Sequence, residues 1–76
     1  MDSEKTGQLI AACRKEKRLT QKELAAKLGV TNKAISKWET GQGMPDISIL
    51  LKLSEILEVS VEELLSGEKV EKETLK

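Results

Sequence analysis

Five side chains able to form hydrogen bonds stand within seven residues of this chain, Thr31, Asn32, Lys33, Ser36 and Lys37, and no carboxylate falls among them. Their chemistry is that of donors seeking acceptors on a flat, electron-rich edge. An Asn amide pairs at two points with adenine, and a Lys ammonium donates to the O6 and N7 acceptors of guanine. Gln21 stands ten residues before Thr31, followed by a helical pattern, so its amide would lie beside unpaired N–H groups at a helix start, an arrangement suited to phosphate oxygens. Gly41 and Gly43 flank Gln42 and break the pattern, which would open further backbone N–H groups to a second phosphate. Ordinary polar surface accounts for any one of these residues taken singly; the cluster is what calls for another reading.

Other chemistries are poorly served. The chain has no His and one Cys, Cys13, which leaves no catalytic triad, no intramolecular disulfide and no multi-cysteine zinc site. No enzyme activity, metal, cofactor or small-molecule ligand is therefore expected. Cys13 falls in a helical apolar pattern and reads as a small buried hydrophobe.

The elements that must position the donors run from Thr20 to Gly41. Leu24, Ala25, Leu28, Gly29, Val30, Ile35 and Trp38 recur in the register of two short helices crossing as a helix-turn-helix. Thr20 with Glu23 makes a capping box for the first, about Gln21 to Leu28. Gly29 suits a left-handed turn, and Thr31 suits the N-cap of the second, about Asn32 to Thr40. Small Ala25 permits the close crossing. Ile35 and Trp38 face inward, which turns Thr31, Asn32, Lys33, Ser36 and Lys37 outward, with most of them in the N-terminal half that reaches base edges when a helix enters the major groove.

Three further helices complete an all-α five-helix bundle. Helix 1 is expected from about Ser3 to Lys17, with Ile10, Cys13, Arg14 and Lys17 on one face and Leu9 or Leu19 at its margin. Asp46 caps helix 4, about Ile47 to Glu58, whose apolar positions Ile47, Leu50, Leu51, Leu53, Ile56 and Leu57 form a face broad enough to be covered on more than one side. Helix 4 is thus expected to be the buried centre and the wall behind Trp38 and Ile35. Ser60 with Glu63 opens a short helix 5 that Gly67 stops. Residues 1–66 form the domain; 67–76 form a charged tail, frayed or part of a dimer contact.

Seventy-six residues make one domain with an aliphatic core, since there is one Trp and no Phe or Tyr. The net charge is zero, but residues 1–43 hold nine Lys/Arg against five Asp/Glu, a net of +4, and residues 44–76 hold four against eight, a net of −4. Such a division can present one basic face on a neutral chain, although helix surfaces also carry mixed charge for solvation alone. No apolar run is long enough for a signal peptide or a membrane span, so the cytoplasm is the expected location.

Residues 7–66 resemble the Cro and phage-repressor (XRE-type) family of helix-turn-helix proteins, whose domains are lambda-repressor-like bundles. The resemblance is carried by Leu-Thr-Gln-Lys-Glu-Leu-Ala-Ala-Lys-Leu-Gly-Val at 19–30, Ile-Ser-Lys-Trp-Glu-Thr-Gly at 35–41 and Pro-Asp-Ile-Ser-Ile-Leu-Leu at 45–51. It implies a sequence-specific regulator of transcription, a repressor, binding double-stranded DNA as a homodimer. It also implies that Asn32, Lys33 and Lys37 meet bases, that Gln21, Thr31 and Ser36 meet the DNA backbone or groove edge, and that Arg14 pairs with Glu39 to hold helix 1 to the end of helix 3. Val61, Leu64, Leu65 and Val70 are the candidate dimer surface, with closure of the core as their alternative role. The competing reading is a protein-interaction module, an antitoxin or anti-repressor, on the same fold. The chain departs from the family where glycine often follows helices 1 and 4: Arg18 and Glu58 stand there, which would strain a left-handed backbone.

Overall fold

A computed structural model describes residues 2–69, and among them five helices and no strand are found: α1 Ser3–Glu16, α2 Gln21–Leu28, α3 Asn32–Glu39, α4 Ile47–Leu57 and α5 Val61–Ser66. Each begins at a side-chain cap. Thr20 and Ser60 form full capping boxes with Glu23 and Glu63, Thr31 accepts from the Ala34 amide, and Asp46 accepts from the Ile49 amide. Asp2 caps α1 by accepting from the Glu4 and Lys5 amides, a start that begins before any apolar periodicity announces it.

Helix ends are equally determined. Gly29, with φ 73°, allows the Val30 amide to reach back to the Ala25 carbonyl and its own amide to reach Ala26. The same paired bonds close α1 at Arg18 and α3 at Gly41. Arg18 and Glu58 do adopt left-handed backbone, φ 58° and 60°, where a side chain costs about 1 kcal/mol relative to glycine. Lys17 and Glu58 meet at 2.8 Å, so an ion pair joins the ends of α1 and α4 beside both strained residues.

The core draws on every helix: Ile10 and Cys13, Leu24 and Leu28, Ile35 and Trp38, Leu50, Leu53 and Leu57, and Leu64 are all buried. Burying a side chain of the Leu or Ile class is worth about 1.5–3 kcal/mol, and nothing aromatic besides Trp38 contributes. Burial pushes the Cys13 thiol above its ordinary range, the state of an inert buried hydrophobe.

The arrangement around α4 differs from expectation. α3 packs chiefly against α1 and α2, so these, and not α4, form the wall behind Ile35 and Trp38. Ile47 and Leu51 are 64% and 53% exposed. Four residues apart, they form a stripe on the side of α4 that no other helix covers among the described residues. Lys17, placed on one face with Ile10, Cys13 and Arg14 from sequence, is exposed, because α1 ends at Glu16 and its ammonium turns out to Glu58.

Two contacts on α1 explain why it sits so close to its neighbours. A Cβ on Gly7 would overlap the Trp38 carbonyl oxygen, so only glycine lets α1 lie directly against the end of α3. Thr6, also buried, donates its hydroxyl to the Leu64 carbonyl at 2.7 Å and fixes α5 on the other side.

Candidate nucleic-acid interface

α3 presents its acid-free side to solvent. Thr31, Asn32, Lys33 and Lys37 are exposed and Ser36 is half-buried, whereas Ile35 and Trp38 point into the core. All five sequence-selected residues therefore lie along the solvent side of α3, from its N-cap Thr31 to Lys37 in its last turn. Thr31 spends one oxygen lone pair on the Ala34 amide at 3.1 Å and keeps its O–H free to donate.

What holds this surface in place is a buried carboxylate. Arg14 Nε donates to Glu39 Oε2 at 2.6 Å, Arg14 Nη2 donates to Glu39 Oε1 at 3.1 Å, and Arg14 Nη1 donates to the Leu19 carbonyl at 2.7 Å. The two side chains are only 10% and 7% exposed, and the hydrogen bond to Glu39 holds the guanidinium more strongly protonated than an ordinary Arg. This is the fork-to-fork pairing in which Arg is more rigid than Lys.

Gln21 belongs to the same network, which its sequence position did not reveal. Its Nε2 donates to Glu39 Oε1 at 2.9 Å, so Glu39 ties α1, α2 and α3 at one point. The amide keeps a second N–H, and the Gln21 backbone N–H at the start of α2 has no acceptor among the described residues. Gln21 is thus held at a fixed attitude with two donors unspent.

The loop after α3 is more restricted than its glycines suggest. The Gly41 amide donates to the Trp38 carbonyl at 3.1 Å and the Gln42 amide to the Lys37 carbonyl at 2.8 Å. Neither is open to a phosphate, because a left-handed residue at a helix end folds these two amides back onto the last carbonyls. Among the described residues the Gly43 and Met44 amides have no acceptor, and Gln42 is exposed and can offer its side chain.

The dimer candidates fare unevenly. Leu64 is fully buried under α1 and cannot touch a partner; the short α5 turns it inward through the Thr6 contact to its carbonyl. Val61 and Leu65 are half-buried, and Val70 lies outside the described residues. Gly7, Thr6 and the exposed pair Ile47 and Leu51 were missed in the sequence. Of these Gly7 alone carried a signal, a glycine inside a helical pattern that costs up to about 1 kcal/mol against alanine unless close approach demands it.

Among the described residues no group of three or more His, Cys, Asp or Glu could hold a metal ion, and no helix is long and apolar enough to cross a membrane.

With this geometry established, the chain can be set beside known proteins. A helix-turn-helix family model matches residues 10–64. An uncharacterized HTH-type transcriptional regulator, YqaE of Bacillus subtilis, is 48% identical over 83% of this chain and 54% of its own length. The crystal structure of the P22 c2 repressor, from a Salmonella phage, in complex with a synthetic operator superposes with a TM-score of 0.79 at 40% identity, covering 83% of this chain and 96% of that one. The restriction-modification controller protein C.AhdI from Aeromonas hydrophila superposes with a TM-score of 0.74 at 31% identity, covering 82% and 94%. The chain spans about half, or less, of the length of the curated relatives it matches.

Proposed function

Since this chain belongs to the XRE-type helix-turn-helix family, we propose that it is a cytoplasmic, sequence-specific double-stranded DNA-binding regulator of transcription. It acts as a repressor by occupying its operator as a homodimer, with α3 in the major groove. The observation that carries this reading is the exposed, acid-free face of α3 held in register by the buried Arg14–Glu39–Gln21 network. Residues 1–66 are the binding unit, and no chemical step is catalysed.

Asn32, Lys33 and Lys37 read base edges. Gln21, with its amide held by Glu39, meets a phosphate together with the free N-terminal amide of α2. Thr31 and Ser36 serve the groove edge. In the loop, Gly43 supplies a backbone donor and Gln42 a side-chain donor, while Gly41 shapes the turn. Two copies of so small a reading surface, on half-sites about one helical turn apart, gain affinity and specificity together. The exposed Ile47 and Leu51 take the place of the buried Leu64 as the self-association surface. A Leu51→Lys variant is expected to sediment as a monomer while keeping its helical content.

The test is a titration with operator-containing and random duplexes. Asn32→Ala and Lys33→Ala should each weaken specific binding by about 1–3 kcal/mol and relax preference at one position, and Gln21→Ala should weaken all duplexes alike. Unchanged selectivity in both α3 variants would refute the assignment. The acidic stretch 44–76, with the exposed Ile47 and Leu51, favours a second reading, a protein-interaction module on the same fold. That reading gains if no salt-sensitive binding to any duplex is found.

A further inference from the structure

We propose that Glu4, in the first turn of α1, is an electrostatic brake on DNA affinity: a negative charge packed against Gly41, in the loop whose Gly43 amide is left for a phosphate. The inference rests on the DNA-binding reading above. A Cβ built on Gly41 would lie 2.9 Å from Glu4 Cγ and 3.2 Å from Glu4 Cα, so the first turn of α1 lies directly against the loop backbone two residues before Gly43. The Glu4 carboxylate stands beyond that Cγ and is exposed. Among the described residues it forms no ion pair and accepts no hydrogen bond; neighbouring Lys5 is directed to Glu68 instead. Asp2, the other acid at this end, already accepts the first amides of α1.

An unpaired carboxylate on the loop that carries a phosphate contact opposes the gain that Lys and Arg supply by neutralising phosphates. Glu4 also suits the positive end of α1, and that purely structural role makes a different prediction. Under it, removing the charge lowers helix stability slightly and leaves DNA affinity alone.

The experiment measures binding of the wild-type chain, Glu4→Gln, Glu4→Lys and the control Glu62→Gln to a random-sequence duplex across a salt series, with helical content checked by circular dichroism. Glu62 is an exposed acid on α5. Expected are an affinity gain of about threefold for Glu4→Gln and about tenfold for Glu4→Lys, the latter with a salt slope steeper by about one, and a change below about 1.5-fold for Glu62→Gln. If Glu4→Gln matches Glu62→Gln while wild type binds, the brake is refuted and the DNA-binding reading stands. If no variant binds at low salt, both fall.

Discussion

Removing the Glu39 carboxylate should be the most damaging polar change available in this fold. In Glu39→Gln the shape is kept, but one of the two acceptor oxygens becomes an NH2 donor, so Arg14 keeps at most one of the bonds that lie at 2.6 and 3.1 Å, now to a neutral partner, besides the Leu19 carbonyl. Breaking a fully buried ion pair costs about 3–5 kcal/mol because the surviving charge is left uncompensated. With the two side chains 10% and 7% exposed, the guanidinium edge keeps some access to water, and a cost of about 2–3 kcal/mol is the working figure. For a chain of this size, where about 4–11 kcal/mol separates folded from unfolded, that is a large fraction. Urea unfolding of Glu39→Gln, Arg14→Met and the double variant isolates the coupling, expected to be about 1.5 kcal/mol or more. The double variant should be less destabilised than the two singles imply, because no orphaned charge remains. A coupling below about 0.5 kcal/mol, the range of an exposed pair, would refute the claim that this network orients α3.

Other perturbations probe separate links. Gly7→Ala drives a methyl into the Trp38 carbonyl and should cost about 1–3 kcal/mol, seen as a lower urea midpoint. Arg18→Gly relieves the left-handed φ of 58° and should raise stability by up to about 1 kcal/mol; a destabilised variant would show that the strain is not there. Asp46 is held below its ordinary value of 3.8, first by the Ile49 amide and then by the Ser48 hydroxyl. A depressed carboxyl stabilises the fold above the unfolded value and loses that contribution as pH falls through the folded one. Stability should therefore decline below about pH 4, and Asp46→Asn should decline less over the same window in pH-dependent urea unfolding.

Local features of this fold were legible because they depend on neighbours in sequence. Capping at Thr20, Thr31, Asp46 and Ser60, the turn at Gly29 and the inward Ile35 and Trp38 each follow from a residue and those within four positions of it. The outward face of α3 was legible for the same reason. Facts that require knowing what lies across a gap were not. The apolar periodicity of α4 cannot say which part of a wide stripe a six-residue α5 will cover, so Ile47 and Leu51 read as core, and Leu64 as either dimer surface or core closure. Nor can a pair of glycines announce that Gly41 would spend its own amide and that of Gln42 on closing α3. The family resemblance supplied Arg14 with Glu39; the third member, Gln21, became visible only as a distance between α2 and α3.

The central claim is that α3, held by Glu39, reads a DNA sequence. Selection of bound molecules from a random duplex pool, run with the wild-type chain and with Asn32→Ala and Lys33→Ala, tests it most directly. The expected result is a two-fold-symmetric motif with half-sites about 10 base pairs apart, losing information in each variant at the position that residue reads. A pool that shows no enrichment, or a motif that both variants recover unchanged, would contradict it.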